Sequence, residues 1–113
     1  MKEFKTGRGF HGIDFADANG VSCSVQESSA IGESVAAFDN PGSSFLWVGC
    51  NNPNPTILTP GVGWTPFPLP AEVMCTTRMH LSREQVAELV KALRVWLETG
   101  TLLQTEGLTN DGR

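Results

Sequence analysis

The 113 residues fit one domain and leave no room for a second. A hydrophobic share of 40% against 18% charged lies on the globular side of the disorder boundary. The net charge is -4 and no two of the eight Lys and Arg are adjacent, which excludes the electrostatic footprint of a duplex nucleic-acid binder.

In chain order, the opening Met1-Lys2-Glu3-Phe4-Lys5 leads into no apolar stretch, and no apolar run reaches the length of a membrane span. A cytoplasmic chain is therefore expected, neither exported nor anchored. Residues 12–25 hold two alternating runs around Asn19-Gly20, which predicts a hairpin. A two-residue turn would set Ile13 and Phe15 on the face opposite Cys23 and Val25. A three-residue loop, with Asp17 opening a type I turn and Gly20 in the left-handed position, sets Phe15 opposite Cys23 and Ile13 opposite Val25. One face then becomes wholly apolar, so that register is the expected one.

A second hairpin is expected between residues 35–38 and 45–50, because Pro41-Gly42 suits the centre of a type II turn. Residues 45–48, Phe-Leu-Trp-Val, are apolar on both faces, which predicts a central strand or one turned towards another subunit or a ligand. Self-association as a homodimer or higher homo-oligomer follows, since one helix covers only one face of a small sheet. Residues 51–70 hold six of the seven prolines, together with Ile57, Leu58, Trp64, Phe67 and Leu69. That density forbids a central strand or a helix and predicts a loop or an arm that packs on something.

Residues 73–80 read as the last strand, with Arg78 and His80 on one face and Cys75, Thr77 and Met79 on the other. An amphipathic helix follows. Ser82 is its N-cap, Gln85 completes a capping box, and Gly100 stands at the C-terminal cap. Val86, Leu89, Val90, Leu93, Trp96 and Leu97 recur at helical spacing as its apolar stripe. The fold expected is α+β, an antiparallel sheet of hairpins packed with one C-terminal helix. It forms a single domain over residues 1–105, with 106–113 as a flexible tail.

Cys23, Cys50 and Cys75 are spaced too widely for a zinc knuckle and are odd in number, which predicts three reduced, mostly buried structural thiols. His11 and His80 lie in no ligand motif, so neither a metal nor another cofactor is expected. Ser28 with His11, or Cys75 with His80, supplies a nucleophile and a base, yet no flanking sequence marks an activated nucleophile, and no catalytic residue is assigned. Arg78 and His80 are more informative. They emerge together where a helix begins, and cation, imidazole and the positive end of the helix favour an anion. An ion pair of Arg78 with a carboxylate such as Glu72 is the structural alternative. Trp47 or Trp64 would supply a stacking plane for a base, and Gln26, Ser28 or Ser29 polar contacts.

Residues 79–86, Met-His-Leu-Ser-Arg-Glu-Gln-Val, and residues 97–102, Leu-Glu-Thr-Gly-Thr-Leu, resemble the ending of small uncharacterised phage and prophage proteins. Ser24-Val25-Gln26-Glu27-Ser28-Ser29 and Trp47-Val48-Gly49 are similar to that group as well. The resemblance implies a phage-type protein acting against host defence in the host cytoplasm. Three activities are open: sequestering a nucleotide-like host immune signal without turnover, inhibiting a host defence complex by protein contact as anti-CRISPR proteins do, or cleaving such a signal with His80 or a cysteine.

Overall fold

A computed structural model of the chain describes residues 1–32 and 42–103. The α+β expectation holds: antiparallel strands are followed by one long helix. The main sheet comprises β1 (Lys2–Lys5), β2 (His11–Ala16), β3 (Ser22–Glu27), β4 (Phe45–Cys50) and β7 (Arg78–Ser82), in the order β1-β2-β3-β4-β7. Strands β5 (Thr56–Thr59) and β6 (Gly63–Pro66) form a separate two-stranded ribbon.

The first hairpin has the three-residue register. Phe15 pairs with Cys23 and Ile13 with Val25, Gly20 takes φ 83°, and its N–H donates to the Asp17 carbonyl at 3.0 Å. The Asp17 carboxylate fixes the turn further by accepting from the N–H groups of Asn19 and Val21 at 2.8 and 2.9 Å. Strand β1 was not foreseen. Four residues reading Lys-Glu-Phe-Lys carry too little apolar alternation to be recognised, although lysines suit an edge strand by discouraging further pairing.

Strand β4 is central, as its two-faced apolar character predicts, but its neighbours are β3 and β7. The expected partner at residues 35–38 lies outside the described residues, and both edges of β4 are occupied by other strands. Residues 51–70 contain the β5–β6 hairpin rather than a structureless loop. Its prolines flank the ladder or end it at Pro66, where a missing N–H costs least, and Gly61 at φ 76° and Gly63 at φ 106° make the turn.

The last strand begins later than its sequence suggests. Residues 73–77 carry no strand, whereas β7 continues to Ser82. Ser82 then caps α1 (Arg83–Thr99), its hydroxyl accepting from the Gln85 N–H at 3.2 Å while the Gln85 side chain accepts from the Ser82 N–H at 2.9 Å. Gly100 ends the helix at φ 80°, in the left-handed conformation that glycine adopts without steric cost. Among the described residues no helix is long and apolar enough to cross a membrane.

Burial within one copy is sparse. Cys23 is the one buried hydrophobic residue among those described, and no residue of α1 is buried.

Candidate functional site

Antiparallel pairing puts directly opposed residues on one face, so the register defines two surfaces. One carries Ile13, Phe15, Cys23, Val25, Leu46, Val48, Met79 and Leu81 and is mainly apolar, with His11 and Glu27 at its margin. The other is polar and aromatic. Across its centre run the rows Ser24–Gly49–Arg78 and Gln26–Trp47–His80. Arg78, His80, Trp47, Gln26 and Ser28, singled out from sequence, are brought together there.

Arg78 reaches across β4 to β3, with Gly49 paired between it and Ser24. Gly49 has φ 149°, and a Cβ there would meet the Thr77 carbonyl and the Arg78 backbone. Arg78 Nη1 donates to Gln26 Oε1 at 3.2 Å and approaches Ser24 Oγ at 3.4 Å. Its guanidinium carbon sits 5.8 Å from the centre of the Trp47 ring, a cation–π distance. Among the described residues no carboxylate pairs with Arg78, so the ion pair with Glu72 is not formed and the cation rests on neutral acceptors and an aromatic ring.

His80 continues the surface on the edge strand. Its ring stacks on Trp47 with centroids 4.0 Å apart, and on Phe45 at 4.8 Å. Its Nε2 lies 2.8 Å from Ser28 Oγ. Ser28 is 4% exposed, and its hydroxyl also accepts from the Ala30 N–H at 3.1 Å. This serine thus holds the imidazole upright and is poorly placed to attack a substrate, although hydroxyl and ring stand at a nucleophile–base distance. The Ser28–His11 pairing is not formed. His11 sits on the opposite face, where its Nδ1 is 3.2 Å from Glu27.

Ser29 is exposed just beyond β3, and lines, with Ser28, Ser43 and Ser44, a cavity of about 480 Å³ at the end of the sheet. Trp64 is not part of the cluster. It stands on β6, 71% exposed, in a hairpin that pairs with no strand of the main sheet. Sequence reasoning missed Ser24, Gly49 and Phe45. Each is two residues from a chosen one, and strand alternation extended by one step would have found them.

The acceptor chain below Arg78 is tied down. Ser24, 2% exposed, donates to Asn51 Oδ1 at 2.6 Å, and Asn51 Nδ2 donates to Ser22 Oγ at 2.9 Å. The surface gathers a fixed guanidinium, an imidazole, amide and hydroxyl dipoles, and aromatic planes, groups whose chemistry can hold an anion beside a flat apolar group. No group of three or more His, Cys, Asp or Glu gathers among the described residues to hold a metal. The cysteines are free. Cys23 is buried, Cys50 half-buried and Cys75 exposed, against the expectation of three mostly buried thiols. Burial pushes the Cys23 thiol up from its ordinary range, and the neighbouring Cys50 thiol adds to the shift.

No protein-family model, curated protein or solved structure matches the chain.

Proposed function

We propose that this is a phage-type anti-defence protein that binds a nucleotide-like host immune signal without turning it over, a sponge acting as a homo-oligomer in the host cytoplasm. The observation that carries the ligand class is the Arg78 guanidinium, held by Ser24 and Gln26 against Trp47 without a carboxylate partner among the described residues. A cation that is positioned yet not neutralised is available to a phosphate, and the Trp47–His80–Phe45 stack beside it offers a base a surface. The phage origin rests on the resemblance of residues 79–86 and 97–102 to phage and prophage proteins. Binding without turnover is favoured over cleavage because Ser28, the hydroxyl nearest the His80 imidazole, is 4% exposed and already accepts from the Ala30 N–H.

Titration calorimetry against cyclic nucleotides and ADP-ribose derivatives tests this, run on wild type and Arg78→Ala beside thermal melts. Wild type is expected to bind at least one of them. Arg78→Ala is expected to weaken that binding by about 1.5 to 3 kcal/mol, the scale of a charge-assisted hydrogen bond, at an unchanged melting temperature. Silence of the folded wild type across the panel would turn the assignment to the second reading, a protein–protein inhibitor of a host defence complex. That reading draws on the apolar exposure of the β5–β6 hairpin, where Val62 and Trp64 are 73% and 71% exposed.

A further inference from the structure

We infer that the β5–β6 hairpin is an intersubunit arm that lies on a second copy of this chain, with Trp64 as its anchor and the apolar stripe of α1 as the surface that receives it. The inference rests on the homo-oligomer part of the function proposed above and is independent of the ligand.

Four observations carry it. First, β5 and β6 pair only with each other, by Leu58 opposite Trp64 and Ile57 opposite Thr65. A two-stranded ribbon of four-residue strands is marginal by itself in water, so its folded state needs a covering surface. Second, one copy supplies no such cover. Leu58 is 58% exposed and Trp64 71%, while on α1 Leu93, Trp96 and Leu97 are 44%, 50% and 74% exposed. Third, residues 40–71 contain no Asp, Glu, Lys or Arg. A solvent-facing arm ordinarily carries charge, whereas an element that enters an interface core is depleted of it.

The fourth is the amount of surface. Taking roughly 150 to 250 Å² for a whole large side chain, the exposed apolar groups of arm and helix amount to on the order of 1,000 Å² per copy. Spread over arm and helix, that area from two copies reaches the total of a stable interface.

The occupant is a second copy rather than a foreign protein because the cover is needed for folding itself. With Cys23 the one buried hydrophobic residue among those described, the described part of one copy has too small a core to stand without it. A surface required for folding must be present wherever the chain is, and each copy carries both the arm and an uncovered helix to receive one. Reciprocal exchange closes on itself about a two-fold axis.

A photocrosslinking amino acid at position 64, in full-length chain mixed from ¹⁴N- and ¹⁵N-labelled copies, tests this together with light scattering. The expected result is a mass of at least two copies, with hybrid-isotope crosslinked peptides joining position 64 to residues of α1. An oligomeric mass with crosslinks only inside one copy, or to regions other than α1, overturns the arm assignment and leaves self-association standing. A folded monomer at micromolar concentration overturns both, and leaves the arm as a surface for a host protein. Should the probe impair folding, the double variant Leu58→Ser/Trp64→Ser provides the second measurement. Loss of assembly or of folding is expected from it, and an unchanged oligomer with unchanged thermal stability overturns the arm assignment.

Discussion

Arg78 and Gly49 show how much one missing side chain can arrange. Glycine at position 49 lets the Thr77–Arg78 backbone approach β4 closely beneath the guanidinium, and its φ of 149° is one that other residues rarely adopt. Gly49→Ala is therefore expected to cost more than the roughly 1 kcal/mol of an ordinary core glycine change, since the new methyl meets the Thr77 carbonyl. Denaturant melts measure it, and an unchanged midpoint would show that β7 shifts without penalty. The thiols supply a second residue-scale prediction. Thiolate is the reactive form, so native-state alkylation should label exposed Cys75 first and buried Cys23 last. Because folding raises the Cys23 pKa, its contribution to stability is complete below the ordinary thiol range and is lost as pH rises through the folded value. Melts at rising alkaline pH should show this loss for wild type and less of it for Cys23→Ala.

Among the elements, those with strong local chemistry were legible and those defined by pairing were not. The capped helix and the Asp17–Gly20 turn carry side chains that bond their own backbone, so their bounds were readable from spacing alone. Strand β1 and the β5–β6 hairpin have no such marker. Proline density disguised the latter, and β7 begins at Arg78 because, of residues 73–77, only Thr77 bonds to β4, its carbonyl accepting from the Cys50 N–H at 3.2 Å. The site was legible to the extent that alternation places Arg78 and His80 together, but which strand lay beside them depended on the β3–β4–β7 order. Removal of the helix cap by Ser82→Ala should cost about 1 kcal/mol in stability. Cys23 and Cys50 face each other directly across β3 and β4. They stand between ladder hydrogen bonds, since Asn51 N–H donates to the neighbouring Ser22 carbonyl, and at such positions Cα atoms approach to about 4.5 Å. A disulfide spans that separation. Titration of denatured protein without reductant should find all three thiols. After exposure to diamide, which takes two electrons and two protons from a thiol pair, it should find one. Retention of all three would show that the two sulfurs cannot approach.

At the scale of the whole molecule, one sheet face is organised around a cation and aromatic rings, while apolar surface on the arm and helix stays uncovered within a single copy. The proposed assembly and the proposed ligand capture thus use different surfaces, and each can fail without the other. The most direct test of the capture claim is mass spectrometry of small molecules released on denaturing protein that has been exposed to lysate of defence-activated cells, with Arg78→Ala treated in parallel. A phosphate-bearing, nucleotide-derived mass is predicted from wild type, at a level reduced tenfold or more in the variant, in keeping with the loss of one charge-assisted contact of about 1.5 to 3 kcal/mol. Equal amounts from both proteins, or none from folded wild type, would contradict a nucleotide site centred on Arg78.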